Sequence, residues 1–140
     1  MKKIHFTVLV FVFLFCAGAA LAQDDSTGAM TRTSNLTAEI AVGTGVTDRM
    51  PVGQADTFSV NVDTIYFWTK IIGAETPTTI NHLWFHDGQK MASVSLPVRA
   101  ESWRTWSYKT ILPEWTGEWK VVVTDDQGRE IASKTFVVGE

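Results

Sequence analysis

Few residues in this chain are of types that do chemistry, and their spacing is the first thing to weigh. His82 and His86 stand four apart in a segment that alternates like a strand. At ~3.3 Å per residue their α-carbons lie about 13 Å apart, too far for two imidazoles to close on one ion without a bulge. His-x-His suits a strand, whereas this spacing suits a helix, so no metal site is expected. Serines are plentiful, yet none sits in Gly-x-Ser-x-Gly, the strained elbow that presents a nucleophile. Asp125 and Asp126 are adjacent but fall in a segment read as a turn, where Asp caps backbone amides. A carboxylate pair acting on an envelope polymer is defined by its separation in space, which leaves an enzyme as the third reading. No catalytic residue and no cofactor is assigned.

The aromatics say more. Trp103–Trp119 (WRTWSYKTILPEWTGEW) holds four of the six tryptophans, and six is more than one small core usually needs. Tryptophan on a sheet face stacks on sugar rings or anchors a protein interface with large rigid area. The surface candidates are Trp84 with His82, and Trp103 or Trp106 beside Arg104. With Lys109 these make the expected ligand-binding set. Trp119, Phe67 and Phe136 alternate with polar neighbours as core residues do. Arg104 shares strand parity with Trp106 and Tyr108 and is placed to stack on an aromatic face. Pairing with a carboxylate such as Glu118 is the favoured expectation for it.

The elements that must position these residues are strands. Leu36, Ala38, Ile40 and Val42 alternate with period two, and Phe58, Val60 and Val62 do so again. Val46–Val52, with Pro51, reads as an irregular connection. Thr64–Ile72 is β-branched and aromatic on both parities, as in a central strand covered on both sides or one that offers an aromatic face to a partner. Thr79–His86 and Gln89–Val98 flank Asp87-Gly88, a type I′ turn signal. The register this turn sets pairs His86 with Gln89, Trp84 with Met91 and His82 with Ser93. It predicts a core side of Leu83, Phe85, Ala92, Val94, Leu96 and Val98, with Ile80, His82, Trp84 and His86 on a mixed second side. Trp103–Leu112 is a further strand, and Glu118–Thr124 with Arg129–Val138 makes a last hairpin closed by Gly128. About eight short antiparallel strands without a helical period predict an all-β, immunoglobulin-like β-sandwich, with a small closed β-barrel as runner-up.

The N-terminus sets the destination. Met1-Lys2-Lys3, an apolar run from Phe6 to Phe15 and Ala20-Leu21-Ala22 form the pattern of a secretory signal peptide, with cleavage expected after Ala22. Gln23-Asp24-Asp25 stops the run short of the ~20 apolar residues of a spanning helix. Phe15 before Cys16 argues against a lipid anchor. Residues 23–35 read as a flexible polar leader and 36–140 as one domain, periplasmic or secreted, with no membrane insertion after cleavage. Cleavage removes Cys16, the single cysteine, and with it any disulfide, thiol nucleophile or cysteine metal site. The whole chain carries a net charge of −3; without Lys2 and Lys3, ten basic residues face 15 acidic ones, a net of −5. That balance argues against nucleic acid, which needs a basic stripe.

Taken together, Asp48-Arg49-x-Pro51, Tyr66-Phe67-Trp68-Thr69, His82-x-Trp84, Trp103-Arg104-Thr105-Trp106-Ser107-x-Lys109 and Trp115-Thr116-Gly117-Glu118-Trp119 resemble the bacterial domain of unknown function 2914, from about Thr37 to Val138. The resemblance implies a small extracytoplasmic β domain and carries no catalytic residue. Tyr108 stands where a small residue is expected. The family's recurrent polar positions fall at Arg49, His82, Arg104, Ser107, Lys109 and Glu118, which would line a ligand groove or form a buried network; Arg49, Ser107 and Glu118 are the structural-network candidates. The function expected is a non-catalytic binding module contacting envelope protein or glycan. The alternative is a carbohydrate- or peptidoglycan-binding module with a tryptophan platform.

Overall fold

The alternating segments become strands whose two faces differ in burial. The computed structural model describes residues 35–139; the expected signal peptide, its cleavage site and all but the last residue of the leader lie outside them. The strands are β1 (Thr37–Gly43), β2 (Gly45–Thr47), β3 (Met50–Val52), β4 (Thr57–Phe58), β5 (Thr64–Ile72), β6 (Thr78–His86), β7 (Gln89–Val98), β8 (Ser102–Thr110), β9 (Gly117–Thr124) and β10 (Glu130–Val138). One sheet has the order β1-β5-β8, the other β4-β10-β9-β6-β7, and β2 and β3 form a separate hairpin. All pairings are antiparallel except β4 with β10. Two open sheets facing each other across one core make the expected all-β sandwich, with the strand distribution of an immunoglobulin-like fold; no barrel closes.

Three local expectations are corrected. Val46–Val52 is a tight hairpin, with Thr47 opposite Met50 and Val46 opposite Pro51. A two-residue turn closes on a hydrogen-bonded pair, so the next pair out is non-hydrogen-bonded, and the missing N–H of Pro51 costs nothing there. Phe58–Val62 is not a full strand: only Thr57–Phe58 pairs, and the chain then turns, with the Val62 amide donating to the Ser59 carbonyl at 3.0 Å. The third correction concerns the β6–β7 hairpin. Its turn is as expected, with Asp87 and Gly88 both at positive φ (46° and 84°). A bulge then shifts the register: Phe85 faces Lys90, but Trp84 faces Ala92 and His82 faces Val94. One extra residue on β7 is enough to change which residues share a face. Ile80, His82 and Trp84 therefore point inward with Ala92, Val94 and Leu96, whereas Leu83 and Phe85 lie half-buried on the outer face.

The core forms around these inward residues. Trp84, Trp119, Phe67 and Phe136 are its largest fully buried side chains. Trp84 meets Phe67 edge-on at 6.3 Å and Phe136 at 6.4 Å, and Trp119 stacks on Phe136 at 6.2 Å. In antibody domains the corresponding strand carries a tryptophan packed on an inter-sheet disulfide; here aromatic area does that work. β5 is central as expected, with Ile65, Phe67, Thr69 and Ile71 inward. Its outward Trp68 is covered, and its indole N–H donates to the Arg49 carbonyl at 2.9 Å, tying the β2–β3 turn down.

That hairpin is held at its base by close backbone approach. Thr44 N–H donates to the Val52 carbonyl at 3.0 Å, and a β-carbon at Gly43 would run into the same oxygen. Gly43→Ala is expected to displace the hairpin at a cost of roughly 1–3 kcal/mol, read as a lower denaturation midpoint and a shifted Trp68 indole N–H resonance.

Candidate functional site

Two clusters gather nearly all of the residues singled out from the sequence. The first lies between the sheets. Ser107 Oγ on β8 sits 2.6 Å from His82 Nδ1 on β6 and accepts from the Trp84 indole N–H at 3.1 Å. On its far side His82 Nε2 is 3.4 Å from Thr69 Oγ1, and the Thr69 hydroxyl donates to the Thr105 carbonyl at 2.8 Å. The proton positions follow by elimination. Indole nitrogen only donates, and Thr69 spends its proton on Thr105. Thr69 Oγ1 is thus the acceptor for His82 Nε2–H, and Nδ1 is the acceptor for the Ser107 hydroxyl. A single directed chain runs Trp84 to Ser107 to His82 to Thr69 to the Thr105 carbonyl, with a neutral imidazole at its centre. Burial pushes the His82 pKa from its ordinary 6.5 down to about 3, because charging the ring would place an unpaired cation in the core.

Ser107 and His82 thus have the contact distance of a nucleophile and its base, but the third group is a threonine hydroxyl, and His82 has no exposed surface. In this arrangement the pair is a polar cross-link between the sheets. His82 and Trp84, expected on a mixed surface face, are corrected to core positions.

The second cluster lies where β8, the edge of the three-stranded sheet, meets β7, the edge of the other. Arg49, Pro97, Arg99, Trp103, Arg104, Thr105 and Trp106 line an open groove of about 330 Å³. Trp103 is on the inward parity of β8 and packs on the core, while Arg104 and Trp106 are on the outward parity. The two indoles are therefore on opposite parities of β8, and with Trp84 buried in the core a flat platform of Trp84, Trp103 and Trp106 does not exist. The indole N–H groups of Trp68, Trp84 and Trp119 are all bonded, to Arg49, Ser107 and Trp115. Those of Trp103, Trp106 and Trp115 have no acceptor among the described residues.

The three guanidiniums of the groove likewise form no ion pair among the described residues, where the ion pairs are His86–Asp87, Arg129–Asp125 and Lys134–Asp56. The favoured pairing of Arg104 with Glu118 is thus corrected: Glu118 is on β9 at the far hairpin, where its amide bonds Asp87 Oδ1 at 3.2 Å. Directly opposite Arg104 on β5 is Lys70, a like charge of the kind that destabilises a cross-strand pair.

The remaining candidates lie elsewhere. Lys109 sits over the Trp115 ring at 4.9 Å, a cation–π contact at the other end of β8. His86 stacks on Trp119 at 4.7 Å, and its Nε2 donates to the Thr116 carbonyl at 2.7 Å, so the two histidines serve different partners. Asp125 caps its turn, with Oδ1 accepting from the Gln127 and Arg129 amides at 2.9 Å. Desolvation works to raise its pKa, but those amides and the Arg129 guanidinium outweigh it and lower it. Tyr108 is 63% exposed and lies against Tyr66 at 5.5 Å on the outer face, where a large residue meets no obstacle. Sequence reasoning missed Thr69, whose place in the family-like Tyr66–Thr69 motif was the available signal. It also missed Arg99, which lies beyond the end of β7 in no pattern at all.

This is the architecture of a small immunoglobulin-like β domain. Residues 77–138, the run from β6 through β10, match the family model described as Protein of unknown function (DUF2914), the family that the sequence resembles. Arg49 and Trp68 precede the matched stretch. No curated protein matches the sequence. Similar solved structures include a β-glucosidase from Listeria innocua in complex with glucose, at 10% identity and TM-score 0.41. A mutant of that enzyme with laminaribiose is similar at 9% and 0.42. Each match covers 77% of this chain but 17% of the enzyme, so the chain spans about a sixth of those proteins.

Two measurements probe the buried chain. Ser107→Ala leaves the His82 Nδ1 and the Trp84 N–H without partners, and is expected to cost on the order of 3 kcal/mol in urea denaturation. The lowered His82 pKa also fixes a sign. Between pH 6.5 and about 3 the unfolded chain takes up a proton that the folded one refuses. This contribution is therefore complete above pH 6.5 and falls by roughly 1 kcal/mol per pH unit as the solution is acidified. His82→Phe is expected to flatten the dependence in that window, whatever it does to stability at pH 7.

Proposed function

We propose that this chain is an exported, non-catalytic binding module of the bacterial cell envelope, and that the groove between the β7 and β8 edges is where it holds its partner. One observation carries the reading. Three arginines without ion-pair partners among the described residues, and two indoles whose N–H groups have no acceptor there, converge on one open groove in a protein whose net charge is negative. Like charges gathered together repel until a partner of opposite charge offsets them, and each half-exposed indole leaves apolar area that a ligand can cover. Export is supported by the N-terminal charge, apolar run and Ala20-Leu21-Ala22. The non-catalytic reading is supported by Ser107 and His82 being committed to the core. A glycan ligand is the second reading, favoured by the tryptophans on the groove walls, with Trp103 and Trp106 in place of the platform that would have included Trp84.

An amide-detected NMR titration against peptidoglycan fragments and common glycans tests both. Shifts are expected at Trp103–Trp106 and Arg99, with Trp84 and His82 unmoved. Arg104→Ala and Trp106→Ala are each expected to weaken binding about tenfold, or ~1.4 kcal/mol, with little change in melting temperature. Shifts confined to the outer face of the five-stranded sheet, around Phe85 and Val122, would move the binding surface away from the groove.

A further inference from the structure

The groove is specific enough in its chemistry to name a ligand class, and this inference rests on the groove being the binding surface. Arg49 is the informative residue. It sits at the second position of the β2–β3 turn with φ of 63°, following Asp48 at 51°. Asp tolerates the left-handed region, but a long side chain there is uncommon and glycine is the unstrained choice. Strained positions persist where surrounding structure over-determines them, and they gather at ligand clamps. Here Trp68 over-determines the turn by holding the Arg49 carbonyl at 2.9 Å. The turn is thus fixed by its backbone, while the arginine side chain extends to the groove and makes no hydrogen bond or ion pair there among the described residues.

Arg99, from beyond β7, and Arg104, from β8, complete a set contributed by three separate segments. Lys70 stands opposite Arg104 on β5, with Glu39 opposite Lys70 in turn on β1, so no carboxylate is the direct cross-strand neighbour of Arg104 on β5. Guanidinium groups recognise planar or tetrahedral oxyanions through paired N–H bonds. The indoles of Trp103 and Trp106 offer faces to which a sugar ring can bind, and N–H groups for its hydroxyls. A groove of about 330 Å³ is at the small end of ligand sites, which fits a short stretch of chain rather than a folded partner.

We infer that the groove binds an acidic saccharide, with Arg49, Arg99 and Arg104 gripping its carboxylate or phosphate groups while Trp103 and Trp106 contact the rings. Isothermal titration and NMR of the protein with trigalacturonate, its methyl ester, glucose 6-phosphate and pentaglutamate test this. Trigalacturonate or glucose 6-phosphate is expected to bind at least tenfold tighter than the neutral ester, the stronger of the two identifying carboxylate or phosphate as the group recognised. Raising NaCl from 50 to 500 mM is expected to weaken that binding several-fold. Arg99→Gln and Arg104→Gln each lower affinity about fivefold, whereas Lys120→Gln on the other sheet does not. Arg49→Gly is the diagnostic variant: it is expected to weaken binding while leaving the melting temperature unchanged or higher, because it relieves the turn.

Equal binding of ester and acid would overturn the anionic class and keep the groove. Binding of pentaglutamate alone would overturn the saccharide. Absence of groove shifts with every probe would overturn the binding surface itself. A lower melting temperature for Arg49→Gly would make Arg49 a structural residue and remove it from the proposal.

Discussion

A serine hydroxyl and an imidazole 2.6 Å apart, Ser107 on one sheet and His82 on the other, set the terms on which this sandwich can close. A hydrophobic interior alone leaves two sheets free to slide or to meet in a different register, since apolar contact is non-directional. Five polar groups strung in one direction remove that freedom, because any shift leaves a donor or acceptor stranded in the core. The chain also requires His82 to stay uncharged. It draws its members from β5, β6 and β8, so the centre of one sheet, the edge of that sheet and an inner strand of the other are positioned by a single set of bonds. No side-chain nitrogen or oxygen buried among the described residues is left without a partner.

Around that link the aromatic residues divide according to what their polar atoms do. Trp84 and Trp119 are buried and bonded, and Trp68 is bonded as a peg under the β2–β3 turn. Trp103, Trp106 and Trp115 are half-buried, with nitrogens that have no acceptor among the described residues; the first two line the arginine groove, and Trp115 lies under Lys109. Six tryptophans in one small domain therefore need not share an explanation. The molecule separates a buried polar core link from an exposed cationic edge, and Thr105 belongs to both, accepting from Thr69 and lining the groove.

Much of the fold was legible because its signals are local. Alternation in Leu36–Val42, the β-branched and aromatic run of Thr64–Ile72, the Asp87-Gly88 turn and the Asp125–Gly128 loop each mark a strand or a turn within a few residues. The misplacement of His82 and Trp84 has a single cause. The bulge near Met91 is a one-residue event with no residue-type signature, yet it inverts the β6 face and turned His82 and Trp84 from surface candidates into core. The groove was legible in part: Trp103, Arg104 and Trp106 lie on one strand and could be named, and Arg49 was named through the family resemblance, whereas Arg99 arrives through long-range packing that spacing does not encode. The sealed pair was half legible, since Ser107 and His82 were both singled out but their contact spans 25 residues of chain.

β8 has two parities with separate duties, and this bears on how such a domain can diverge. Thr105 and Ser107 face the interior and take part in the hydrogen-bonded chain, so they are bound to partners on other strands. Arg104, Trp106 and Tyr108 alternate with them and face outward, opposite Lys70, Trp68 and Tyr66 of β5. Tyr108, standing where a small residue was expected, is exposed and lies against Tyr66 on the outer face. A lineage can therefore rewrite the outward letters one at a time, trading one ligand for another, while the inward letters keep the same fold legible to the chain. The strand is a text in which recognition and folding occupy alternate characters.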